Sequence, residues 1–211
     1  MKINILLLML VVLFSACKND DNKNYSEDPV INSWVKENKS KFKGISLDEI
    51  ASYKGEEQRA IFRSLTPENQ KQLWLEKSNK LLVMYPEQKE IFQDFDKFLK
   101  QKDFKTGLEN NEIVFLFQLI EKGKKDYNWD EEFIGITFCT FEFVNDTHEY
   151  NIFKFLDDSF HQGGTRKPIC NCKWGGMFAC GAFECRGIEC RDDGKKGCGF
   201  LLLEHCTAVC R

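Results

Sequence analysis

Cysteine is the residue type in this chain whose number and spacing could do chemistry. Ten are present among 211 residues, and eight stand close together at Cys170, Cys172, Cys180, Cys185, Cys190, Cys198, Cys206 and Cys210. Crowded thiols can ligate a metal, run dithiol redox chemistry or cross-link one another. Structural zinc sites use Cys-x2-Cys pairs, or Cys pairs followed by spaced histidines. Here there is one Cys-x-Cys, no Cys-x-x-Cys and a single His205. Redox catalysis of the thioredoxin kind needs the same two-residue gap. Cross-linking is what the spacing leaves, and an even number permits four bridges. On the order of a hundred pairings satisfy that count, and spacing does not choose among them.

A segment of about 40 residues buries too little apolar surface to hold itself together. Four bridges at about 2 to 4 kcal/mol each exceed what Trp174, Met177, Phe178, Phe183 and the leucines at 201–203 could supply by burial. Such bridges require an oxidising compartment, and the other end of the chain points to one. Lys2, an apolar run at residues 5–14 and the small exit Ser15-Ala16-Cys17 read as an export signal, too short to span a bilayer. Phe14-Ser15-Ala16-Cys17 resembles the lipobox of bacterial lipoproteins. That resemblance implies removal of residues 1–16 as a lipoprotein signal peptide and acylation of Cys17, with about 0.8 kcal/mol of anchoring per buried CH2. Lys18-Asn19-Asp20-Asp21-Asn22 then looks like the acidic signal of surface-exposed lipoproteins, or else is a plain solvated tether, covering residues 17–30. The expected address is the outer membrane or cell surface, lipid-anchored.

The elements that must position the cysteines are helical. With 30% charged and 13% aromatic residues the chain has the composition of a globule with a real core. Ser46-Leu47-Asp48-Glu49 is a capping box. Thr66-Pro67-Glu68 is a second start, ahead of a stripe of Trp74, Leu81, Leu82 and Tyr85. Pro86-Glu87 opens a third helix with Ile91, Phe92, Phe95, Phe98 and Leu99 on one face. Residues 113–120, after Asn111-Glu112, are apolar nearly all round and predict a central helix. Residues 132–144 fit strand or helix; Asp130-Glu131-Glu132 and the helical neighbours favour helix, and one more is expected at 146–156. Cys139, in that apolar run, reads as a buried, unreactive thiol. The fold class is therefore mainly α: a helical domain at 31–160, a linker at 161–169 marked by Gly163-Gly164, Arg166-Lys167 and Pro168, and a small disulfide-rich C-terminal domain at 170–211.

Charge divides along the same line. Residues 18–163 hold 21 Lys and Arg against 28 Asp and Glu, whereas 164–211 hold 8 against 5, so an acidic body carries a basic tail. In the tail, Cys-x-Cys is followed by single cysteines at Cys180, Cys185 and Cys190, then Cys198-Gly199, Cys206 and Cys210. This order, with Ala60-Ile61-Phe62, Leu65-Thr66-Pro67-Glu68 and Leu73-Trp74, resembles the bacteriocin fulvocin C-related family of bacterial envelope lipoproteins. The resemblance covers the tail well and the helices in patches, and it implies an antibacterial role without supplying a catalytic residue.

No catalytic constellation is written in the sequence. His148, His161 and His205 are far apart, and neither a nucleophile elbow nor a phosphate loop is present. Asp157-Asp158 and Asp192-Asp193 read as solvated turns. The expectation is a non-enzymatic protein with no cofactor and no metal. The acidic balance and envelope address exclude nucleic acid as a partner. Two readings stay open. In one, the anchored protein uses its stapled tail as a rigid head for a protein or glycan, with Trp174, Phe178, Lys195 and Lys196 as contacts. In the other, the chain is an antibacterial precursor, cut in the linker, whose basic tail acts on a target-cell membrane through its cations and apolar residues, Phe200 and the leucines 201–203 included.

Overall fold

Five of the seven α-helices among the described residues open on a cap residue or capping box. The Asp28 carboxylate accepts from the Val30 and Ile31 N–H groups at 2.8 and 3.3 Å, with Pro29 in the first turn, and opens α1 (Pro29–Phe42). Ser46 accepts from Glu49 N–H at 3.2 Å and opens α2 (Leu47–Ser52), followed by α3 (Gly55–Ser64). Thr66 accepts from Asn69 N–H ahead of α4 (Pro67–Met84). A single 3-10 turn, Pro86–Gln88, leads into α5 (Lys89–Gln101). Glu109 N–H donates to the Glu112 carboxylate at 2.7 Å where α6 (Asn110–Tyr127) begins. Asp130 accepts from Phe133 N–H at 2.7 Å and opens α7 (Glu131–Cys139). Far along the chain, β1 (Lys196–Cys198) pairs antiparallel with β2 (Glu204–His205) around a 3-10 turn, Phe200–Leu202.

These elements come from a computed structural model that describes residues 23–26, 28–53, 55–144 and 196–205. The export signal, Cys17, the expected helix at 146–156, the linker, Trp174, Phe178, Lys195 and every tail cysteine but Cys198 lie outside the described residues. Within them the fold is mainly helical. α4 runs along α5, α1 along α3, and α6 against α5. Between these pairs lies an aromatic core, in which Phe141 meets Trp74 and Phe62 at 4.7 and 5.6 Å and Phe95 meets Phe138 edge-on at 5.0 Å.

Three expectations are refined. The folded body begins before residue 31, because Tyr25 and Ser26 are buried: Ser26 Oγ donates to Glu56 at 2.7 Å and Arg63 donates to the Tyr25 carbonyl at 2.8 Å. The helix over 113–120 is not central. It is amphipathic, with Ile113, Leu116, Leu119 and Ile120 buried at helical spacing while Val114 is 54% exposed. The ambiguous stretch 132–144 is helical only to Cys139, after which Phe141 turns inward and its N–H donates to the buried Gln58 at 3.0 Å.

Candidate functional site

Of the residues singled out for chemistry, Lys196 and Cys198 fall in β1, with Lys196 opposite His205 and Cys198 opposite Glu204. The chain between those pairs is where the tail meets the helices. Phe200, Leu201, Leu202 and Leu203 are all at most 4% exposed and belong to the same core as Trp74 and Phe95. Burial there is what apolar side chains seek, and the helices supply more of it than a small cross-linked segment could. Among the described residues, it is the helical core that takes these four side chains.

Each piece of the docking face has a local cause. α3 lies beside β1, and α7 beside the Phe200–Leu202 turn. Phe117, from the half-buried side of α6, meets Phe200 edge-on at 5.4 Å. Leu203 lies along the loop between α5 and α6, where a Cβ on Gly107 would approach the Leu203 carbonyl oxygen at 3.3 Å. Lys102 fixes that loop. Its buried amine donates to Thr106 Oγ1 and the Gly107 carbonyl at 3.2 and 2.7 Å and pairs with Glu112 at 2.9 Å.

The docked backbone is unusual. Gly199 has φ 60° and ψ −151°, a conformation open essentially to glycine alone, and a Cβ there would run into the Glu204 carboxylate. Leu201 and Leu202 have φ of 57° and 54°. Left-handed leucine costs about 1 to 2 kcal/mol and persists only where the surroundings impose it.

Behind this segment sits a charged residue the sequence reading missed. Lys77 of α4 has no exposed surface. Its amine donates to the Ile136 and Thr140 carbonyls, both at 2.6 Å, closing the C-terminal end of α7, and lies 5.2 Å from the Trp74 ring and 5.7 Å from Phe143. Burial lowers it to about 7, against the opposing pull of Cys139 and Glu142. Cys139 shifts the other way, its thiol pushed up to about 12 by burial and by Glu204, with Lys77 opposing. A thiol held that high carries almost no thiolate at neutral pH, so it neither attacks nor ligates. The one trace Lys77 leaves in the sequence is its place at helical spacing between Trp74 and Leu81, where periodicity reads a lysine as solvated.

Lys77 joins α4 to the end of α7, whose Cys139 also feels the Glu204 carboxylate of the docked segment. Its chemistry is that of a tie between elements, since the Lys77 amine has no surface through which a substrate could reach it. Among the described residues no group of three or more His, Cys, Asp or Glu has metal-binding geometry, and no helix is long and apolar enough to cross a membrane. Comparison with known protein families, curated proteins and solved structures finds no match for this chain.

Proposed function

We propose that this chain is a non-enzymatic, lipid-anchored envelope protein whose helical body carries the disulfide-rich C-terminal segment as a binding head. Cys17 is the attachment point, the eight tail cysteines are the staples, and Trp174, Phe178, Lys195 and Lys196 are assigned to contact with a protein or glycan on sequence grounds. The observation that supports the reading is the burial of Phe200, Leu201, Leu202 and Leu203 among the helices. At about 1.5 to 3 kcal/mol per fully buried apolar side chain, four contribute about 6 to 12 kcal/mol before ordering costs, a sum comparable with the whole stability of many domains. A tail whose apolar residues complete the body's core belongs with that body. The observation disfavours the alternative, a bacteriocin-like precursor that gives up its tail, because departure would strip those side chains from the core.

The test is metabolic labelling with an alkyne fatty acid in a bacterial host that makes lipoproteins, together with the intact mass of the membrane-bound protein. The wild type should take label, Cys17→Ser should not, and the mass should match residues 17–211 plus acyl chains. A C-terminal peptide starting between residues 164 and 169 and accumulating alone in the medium would sink the proposal in favour of the precursor.

A further inference from the structure

We infer that the helical body is a receptor for the segment at 199–204 that retains it without covalent continuity, so that cutting the chain between α7 and β1 does not free the C-terminal piece. The inference deepens the proposed reading, on which it rests only for the tail being a working part of the protein.

Among the described residues, those that form the docking face precede β1 in the chain. α3 flanks the strand, α7 and Phe117 of α6 flank the turn, and the loop held by Lys102 receives Leu203. The segment's own backbone bonds are short-range, Leu202 N–H to the Gly199 carbonyl at 3.2 Å and Leu203 N–H to the Phe200 carbonyl at 3.0 Å. Four side chains buried in the helical core and a turn of unusual shape are what the body recognises in the segment. The shape is specific. Three of four consecutive residues, Gly199, Leu201 and Leu202, are in the left-handed half of conformational space, which a free peptide of this sequence does not favour. The partner the face fits is therefore a glycine followed by a Phe-Leu-Leu-Leu turn, and the body holds it in a conformation of the body's choosing.

Cleavage alone would then be a latent event. Release of the tail would need a second step that opens the core, so backbone cutting and liberation are separable.

The experiment uses the full chain with residues 162–166 replaced by the recognition sequence of a site-specific protease, purified in detergent, cut, and passed over a sizing column at micromolar concentration. Each run is repeated with a reductant, so that a disulfide cannot hold the pieces together. The two fragments should co-elute in native buffer with and without reductant, and separate in denaturant with reductant. Gly199→Ala, or Leu201→Ala combined with Leu203→Ala, should weaken retention by at least about tenfold while the far-ultraviolet helical signal of the body persists. Separation of the wild-type fragments in native buffer overturns the inference, as does retention that neither variant moves. Failure of lipid labelling would leave this result untouched, and fragment separation would leave the anchor untouched, so the two proposals fail independently.

Discussion

Replacing Lys77 by Met should change how stability depends on pH more than how large it is at any one pH. The amine titrates ordinarily at 10.5, and burial brings it to about 7 in the fold. Between those values the unfolded chain binds a proton that the folded chain does not, so stability rises with pH; below about 7 both states are protonated and the contribution is flat and at its least favourable. Cys139 acts in the opposite sense. Its thiol goes from an ordinary 9.0 to about 12, so above 9.0 the folded chain keeps a proton the unfolded chain has lost, and stability falls. At about 1.4 kcal/mol per pH unit, Lys77 alone should give the wild type a rise of about 3 kcal/mol between pH 7 and 9. From there to 10.5 the two slopes cancel and the curve levels, and above 10.5 it falls. Urea unfolding followed by tryptophan fluorescence across this range reads the shape directly. Lys77→Met should abolish the rise and keep the fall, and Cys139→Ser should remove the plateau so that the rise continues to 10.5. Absolute stability at pH 7 is the poorer readout. Methionine removes a costly buried amine but takes a donor from the Thr140 carbonyl, at about 1 to 3 kcal/mol, while the Ile136 carbonyl keeps the Thr140 hydroxyl at 3.1 Å. A wild type with no rise between pH 7 and 9, or a Lys77→Met variant that retains it, refutes the buried-amine reasoning.

Two further perturbations test the body. Burial acts to raise the Glu56 carboxyl, but Arg59, Arg63 and Ser26 overcome it and hold the carboxyl below its ordinary range. Glu56→Gln should therefore cost about 1 to 3 kcal/mol in urea unfolding at neutral pH. Because a depressed carboxyl contributes its stability above the unfolded value and loses it as pH falls through the folded one, the gap between variant and wild type should close in strong acid; a gap that persists there would show that packing, not charge, was lost. Gly123 lies against the face of Trp129, whose Nε1 donates to Gln88 at 2.8 Å, and a Cβ at 123 would enter the ring. Gly123→Ala should destabilise by about 1 to 3 kcal/mol with a red-shifted tryptophan emission, and unchanged emission and midpoint would contradict the packing described.

What the sequence discloses and what it hides follow from the range of the interactions involved. Ser46, Thr66 and Asp130 each satisfy a backbone donor three residues ahead, so their caps are legible from a window of four, and α5 shows its buried face by spacing alone. Asp28-Pro29 carries the same signal as Thr66-Pro67, yet the surrounding charges read as a tether. The Tyr25 carbonyl is held by Arg63, 38 positions away, and no local pattern reports it. Lys77 escapes for a related reason, because periodicity treats lysine as solvated and its two acceptors lie 59 and 63 residues downstream. The apolar run at 200–203 was legible as something to be buried. Which surface buries it is a tertiary fact: next to cysteines it reads as the interior of a knot, next to cations as a membrane contact, and the helical core takes it instead.

The docked segment also bears on how ten thiols could sort themselves. Thiol–disulfide exchange needs a thiolate, and Cys139, with its thiol pushed up to about 12, carries far less of it at pH 7 than a thiol at the ordinary 9.0. Part of that shift comes from Glu204, which reaches the neighbourhood of Cys139 only because the turn at Phe200–Leu202 is seated beside α7. Seating the segment therefore does two things at once. It fixes the backbone that follows Cys198, and it lowers the reactivity of Cys139. If Cys17 is acylated and Cys139 is kept protonated in this way, the number of thiols left to pair in the tail is even. A variant that weakens docking, such as Gly199→Ala, should therefore leave Cys139 more reactive toward a thiol reagent at alkaline pH, and an unchanged rate would refute the link.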